Sequence, residues 1–121
     1  MKAVFDTNIL IDFLNGIEPA RRELRRFDSR LVSVITWIEV LVGAAPGADD
    51  AAVRRFLGRF EIVPLSAPVA ETAVDIRRAH RIRLSDAVIW ATARVQQALL
   101  VTRNVRDFPV DAPEVRIPYR L

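Results

Sequence analysis

Short runs of branched apolar residues, each closed by polar residues and followed by apolar positions at helical spacing, recur along this chain and leave few folds open to it. Lys2 to Phe5 ends at Asp6-Thr7-Asn8, after which Ile9, Leu10, Phe13 and Leu14 repeat with the period of a helix. Glu18 to Asp28 reads as a second helix, with a basic face of Arg21, Arg22, Arg25 and Arg26. A second strand is expected over Leu31 to Val34, and a helix from Thr36 to Val42 that ends near Gly43. The breaker-rich loop Ala45-Pro46-Gly47-Ala48-Asp49 precedes a helix through Leu57, for which Asp49 or Asp50 is a candidate cap. Glu61 to Leu65 reads as a third strand, Ala67 to His80 and Ser85 to Gln97 as two more helices, and Leu99 to Thr102 as a buried strand. Val115 to Ile117, between Pro113 and Pro118, suits a final edge strand. Parallel neighbours need crossover connections, so this alternation predicts an α/β fold with a parallel sheet covered on both faces.

Length bounds the organisation. A chain of 121 residues with 51% hydrophobic content fits one compact domain, residues 1–121, with a real core. The apolar stretches fall short of the ~20 residues that span a bilayer, so no membrane association is expected. The opening MKAVFDTNIL has one basic residue, a short apolar stretch and an early Asp6, unlike a secretory signal, and a cytoplasmic location is expected. The chain has no cysteine, which excludes disulfides, thiolate metal sites and thiol nucleophiles. Net charge is +3, and Lys2 is the only lysine. Arginine suits bidentate phosphate contact, which favours a polyanionic partner; ordinary solvated helix faces are the alternative.

In open parallel sheets, sites form at the carboxyl ends of strands. Asp6 closes the first strand, Glu39 lies one turn into the helix after the second, and Asp86 opens the helix Asp86-Ala87-Val88-Ile89-Trp90. Arg103-Asn104-Val105-Arg106-Asp107 follows the strand ending at Thr102. Each has a purely structural alternative. Asp6 is a candidate cap for the helix after it, and Thr36-Trp37-Ile38-Glu39 matches a capping box. Asp86 follows the candidate cap Ser85 and favours a helix amino terminus, while Asp107 suits an Asx-type turn. The co-occurrence of carboxylates at three junctions, with His80 the only imidazole, favours a hard-cation site. Mg²⁺ or Mn²⁺ accepts carboxylates plus water and phosphate oxygens, whereas zinc recruits His or Cys. His80 reads as a helix-end residue, Trp37 and Trp90 as core. No Walker A, G-x-G-x-x-G or G-x-S-x-G pattern is present.

Four blocks then carry a family resemblance: Val4-Phe5-Asp6-Thr7-Asn8-Ile9-Leu10-Ile11-Asp12, Ser33-Val34-Ile35-Thr36-Trp37-Ile38-Glu39, Leu84-Ser85-Asp86-Ala87-Val88-Ile89-Trp90-Ala91-Thr92-Ala93 and Leu100-Val101-Thr102-Arg103-Asn104-Val105-Arg106-Asp107-Phe108. In this order they resemble the motifs of PIN-domain proteins, and among those the VapC toxins. The resemblance implies a three-layer α/β/α sandwich, Mg²⁺ or Mn²⁺ dependence and endonucleolytic cleavage of RNA, often structured tRNA or rRNA. It implies dimerisation, and inhibition by an antitoxin that covers the acidic groove. Carried over by position, Asp6, Glu39 and Asp86 match the acidic triad, with Asp6 and Asp86 as direct metal ligands and Thr7 and Asn8 in polar support. Asn104 stands where the family has Asp or Asn, Asp107 is the nearest carboxylate, and either completes the site. Arg22, Arg26, Arg83, Arg103 and Arg106 are the expected contacts to flanking RNA phosphates. The rival readings are a non-catalytic RNA-binding domain of the same fold, another metal-dependent phosphoryl enzyme such as a DNA nuclease or phosphatase, and a receiver domain. The last needs a downstream lysine that this chain lacks.

Overall fold

The computed structural model describes all residues, Met1–Leu121. Its elements follow the alternation read from the sequence: β1 (Lys2–Phe5), α1 (Thr7–Leu14), α2 (Glu18–Arg25), β2 (Ser29–Ser33), α3 (Val34–Val42), α4 (Ala48–Leu57), β3 (Glu61–Val63), α5 (Ala67–Ala79), α6 (Leu84–Val95), β4 (Leu99–Val101) and β5 (Val115–Arg116). The five strands form one sheet in the order β3-β2-β1-β4-β5. Every pairing is parallel. β1 is central and apolar except for Lys2, as expected of a strand covered on both faces.

Two apolar layers cover the sheet because alternate residues of each strand point to opposite faces. Val4, Leu31 and Leu100 pack on one face with Val69, Ala73 and Ile76 of α5 and Ala87 to Ala91 of α6. Ala3, Phe5, Val32 and Val101 pack on the other with Ile9, Leu10, Leu24, Phe56 and Leu57 from α1, α2 and α4. The α/β/α sandwich implied by the resemblance is therefore the observed architecture. α6 is the most enclosed helix, with every residue from Asp86 to Ala93 buried. An ordinary surface helix carries one apolar stripe, so one that is apolar nearly all round belongs at the centre of the packing. No helix is long and apolar enough to cross a membrane.

Local details depart from expectation at three helix starts. α3 begins two residues before Thr36: Ser33, the last residue of β2, is its N-cap and accepts a hydrogen bond from the Ile35 amide at 3.1 Å. The capping box at Thr36-x-x-Glu39 therefore does not form. α4 is capped by Gly47, at φ 92°, and Asp49 and Asp50 fall inside its first turn. There Asp49 accepts from the Ala45 amide at 2.9 Å, closing the loop before the helix. The N-cap of α6 is Arg83, so Ser85 is not a cap.

Candidate active site

The chain runs outward from β1 to β2 and β3, then crosses back to β4 on the other side of β1. That reversal opens a crevice beyond the carboxyl ends of β1 and β4, where ligands bind in open α/β sheets. Asp6 and Thr102, the residues that follow those two strands, meet there. The register pairs Phe5 with Val101, and the Asp6 amide donates to the Val101 carbonyl at 2.9 Å.

Both oxygens of Asp6 are engaged. Oδ1 accepts from the Thr7 amide at 2.8 Å, so Asp6 is the N-cap of α1. Oδ2 accepts from the Thr102 hydroxyl at 2.7 Å and from Asn8 Nδ2 at 3.3 Å. The capping role and the site role thus coincide in one side chain. Glu39 comes from α3, where freedom from a capping box leaves its Oε1 to accept from the Thr7 hydroxyl at 2.6 Å. Thr7 and Thr36 hydroxyls are 3.1 Å apart. One hydroxyl proton cannot serve both contacts, so Thr36 donates to Thr7 and Thr7 to Glu39. Asp86 projects from the first turn of α6, its Oδ2 3.4 Å from Nε of Arg83.

Asp6 and Asp86 are each 4% exposed, whereas Glu39 lies open to solvent. Burial pushes the Asp6 carboxyl up to about 6. The hydrogen bonds from Thr102 and Thr7 oppose that rise, and the charges of Asp86 and Glu39 add to it. Burial also raises Asp86; the Arg83 charge and hydrogen bond counteract it, and Asp107 and Glu39 push the same way as burial. Four carboxylates therefore act on one another across the cleft, two buried and two at its mouth. No three of them converge closely enough to hold a metal ion by themselves. An all-oxygen, open donor set fits Mg²⁺ or Mn²⁺, which keep waters and take phosphate oxygens, and does not fit zinc.

Of the remaining expected residues, Asn104 is consumed by its own turn. Its Oδ1 accepts from the Arg106 and Asp107 amides at 3.1 and 3.2 Å, and its Nδ2 donates to Asp107 Oδ2 at 2.9 Å. Asp107, held by that turn, is the carboxylate whose charge reaches Asp86. Arg103 is not free for phosphate, because its guanidinium forms a two-point pair with buried Asp12 at 2.7 and 2.9 Å. Arg22 and Arg26 belong to α2 and its cap, apart from Asp6. The end of α2 leads into β2 at its amino end, where Asp28 pairs with the Met1 amino group, and Arg26 lies 3.7 Å from Glu23. They sit at the sheet edge opposite Asp6. Arg83, 76% exposed, and solvent-facing Arg106 flank the cleft. Thr102 and Thr36, which hold Asp6 and Thr7, escaped sequence reasoning. The signal for Thr102 was a hydroxyl directly after an apolar strand that pairs with β1. A cavity of about 540 Å³ between α1, α2 and α4 lies away from the carboxylates.

An acidic crevice at the switch point of a parallel sheet, entered by Asp6, Glu39 and Asp86, defines a class of protein, and residues 3–110 match the PIN domain family model. The chain belongs to the PIN-domain family, in its VapC group. It is 37% identical over 113 residues to Ribonuclease VapC10 of Mycobacterium tuberculosis, a match covering 87% of this chain and 84% of that protein. A toxin-antitoxin complex from Klebsiella pneumoniae contains a chain 39% identical to this one. The two superpose with a TM-score of 0.93 over 99% of this chain and 100% of the other. FitAcB from Neisseria gonorrhoeae, at 24% identity and a TM-score of 0.79 over 98% of this chain and 99% of its own, shares the fold.

Proposed function

We propose that this protein is a Mg²⁺- or Mn²⁺-dependent endoribonuclease, formed as one domain over residues 1–121, that serves as the toxin of a toxin–antitoxin pair. One observation carries the reading: the buried Asp6 carboxylate, fixed by Thr102, Thr7 and Asn8, lies under the charges of Asp86 and Glu39 at the switch point. Like charges gathered in a net basic protein are costly without a cation, and a cation there is suited to phosphate chemistry. The kinship with Ribonuclease VapC10 and with a chain of a toxin-antitoxin complex gives the substrate class and the partner.

In this reading Asp6 and Asp86 would hold the cation, with the exposed Glu39 beside them. When bound, the cation supplies charge neutralisation at the scissile phosphate and lowers the pKa of a coordinated water. Glu39, oriented by Thr7, takes the proton of the attacking water. The water oxygen bonds to phosphorus as the bond to the leaving ribose oxygen breaks, and that oxygen takes a proton from solvent. Asp107, fixed by Asn104, completes the acidic rim, and Arg83 and Arg106 bind the flanking phosphates. The substrate is a structured cytoplasmic RNA, tRNA or rRNA, whose cleavage stops translation. The antitoxin covers the acidic cleft of a toxin homodimer. Ile38 and Val42, 47% and 79% exposed on α3 beside Glu39, give it or the second copy an apolar rim.

The test is incubation of purified protein and its Asp6→Asn variant with total bacterial RNA in Mg²⁺, Mn²⁺ or chelator, with fragment ends sequenced. Discrete cuts that need the metal and Asp6 are the expected result. RNA binding that ignores chelator and yields no product would establish the non-catalytic RNA-binding domain instead.

A further inference from the structure

Asp12 is a charged residue in the middle of the apolar run Ile9 to Leu14, 4% exposed, and the mechanism above makes no use of it. Its carboxylate accepts three hydrogen bonds. Arg103 donates from Nε to Oδ2 at 2.7 Å and from Nη2 to Oδ1 at 2.9 Å, and the Tyr119 hydroxyl donates to Oδ2 at 2.7 Å. Enclosing a carboxylate at this depth is unfavourable unless it is fully paired. The partners come from one place of consequence, the turn after β4, and from the C-terminal segment.

We infer that Asp12, with Tyr119, is a positioning residue that latches the 102–107 turn over the acidic cleft by gripping Arg103. Asn8 and Asp12 are one helical turn apart, on the same face of α1. Asn8 Oδ1 accepts the Arg103 backbone amide at 3.2 Å while Asp12 holds the guanidinium, so both ends of residue 103 are tied to one helix. Residues on either side of that tie serve the site. Thr102 donates to Asp6 and accepts the Asn104 amide at 3.0 Å. Asn104 in turn sets Asp107. The grip on Arg103 therefore fixes the spacing between the buried Asp6 and the rim carboxylate Asp107. Tyr119 carries the latch to the strand-end segment after β5. A bidentate pair with a third donor on the same oxygen holds geometry more tightly than either contact alone.

The latch rests on the ribonuclease reading for its consequence, and its own geometry is testable without metal or RNA. The experiment compares the full chain with its Asp12→Asn and Tyr119→Phe variants. It follows amide hydrogen exchange at residues 104–107, Mn²⁺ affinity by electron paramagnetic resonance, kcat and KM on RNA, and thermal unfolding. The latch predicts exchange at 104–107 at least tenfold faster in Asp12→Asn. It also predicts Mn²⁺ affinity and kcat each lowered about tenfold, the scale seen when outer support of a metal site is lost, with KM within twofold. Tyr119→Phe, which leaves the Asp12–Arg103 pair intact, gives smaller changes in the same direction and decides the matter if Asp12→Asn does not fold. Exchange and Mn²⁺ affinity equal to wild type in the variants, with only the melting temperature lowered, would overturn the latch and leave Asp12 a stability staple. A wild-type protein that neither binds Mn²⁺ nor cuts RNA would instead overturn the ribonuclease reading, and the exchange rates would still decide the latch.

Discussion

As N-cap of α1, Asp6 gains from carrying negative charge, because its oxygen accepts the Thr7 amide beside the positive end of a helix dipole. Burial opposes that charge and wins, leaving the carboxyl at about 6. Between the ordinary aspartate value and 6, folded protein holds a proton that the unfolded chain has released. The contribution of this group to stability is thus present at low pH and falls as pH rises through about 4 to 6, by up to about 3 kcal/mol at 1.36 kcal/mol per unit. Metal-free protein melted across pH 4 to 7 should show that decline, and Asp6→Asn should flatten it and melt higher at pH 7. Added Mn²⁺ should restore the wild-type melting temperature at pH 7 and leave the variant unmoved. Thr102→Val tests the same carboxylate from its other side. It keeps the shape of the side chain but removes the donor to Asp6 and the acceptor for the Asn104 amide. Unpaired buried polar groups cost about 1–3 kcal/mol each. The variant should lose stability in that range and bind Mn²⁺ about tenfold more weakly by titration calorimetry.

Among elements, the edge strand β5 is only two residues long and relies on side chains to hold it. Arg116 of β5 forms a two-point pair with Glu23 of α2 at 2.6 and 3.0 Å, with the Glu23 side chain 4% exposed and that of Arg116 33%. Removing Arg116 strands a buried carboxylate, relieved only by Arg26 at 3.7 Å, whereas removing Glu23 leaves a guanidinium that reaches water. Arg116→Leu should therefore cost about 3 kcal/mol in urea unfolding, more than Glu23→Leu, and the double variant less than the two losses added. The same long-range pairing explains what was legible in the sequence. The order of strands and helices, and Asp6, Glu39 and Asp86 at their junctions, follow from local periodicity, so they could be read. The Ser33 cap was missed because the two hydroxyl residues near that strand end, Ser33 and Thr36, are equivalent until the turn is built. The pairing of Arg103 was not legible because its partner Asp12 lies in α1, and no local pattern links the two. For the α2 arginines, helical spacing shows which residues share a face but not which edge of the sheet that face adjoins.

Over the whole molecule, one carboxylate cluster and one arginine cluster stand apart. The carboxyl edge carries Asp6, Glu39, Asp86 and Asp107 with Arg83 and Arg106 around them, while Arg21, Arg25, Arg30 and Arg59 line a cavity elsewhere, near the end of α2. On the metal-dependent reading, RNA drawn to a net charge of +3 enters over the acidic cleft between a few arginines, with a cation beneath it, or binds elsewhere nonproductively. Salt dependence separates these. Each neutralised phosphate of a single strand contributes a slope of about 0.7 in log affinity against log salt. Titrations in an Asp6→Asn background, which prevents cleavage, should lose about that much slope with Arg83→Ala and again with Arg106→Ala. Arg22→Ala and Arg26→Ala should leave slope and affinity unchanged, because α2 ends at the amino edge of the sheet. An equal loss from the α2 pair would mean that bound RNA wraps from the cleft to the far edge, which would make the productive footprint span both charge regions rather than one.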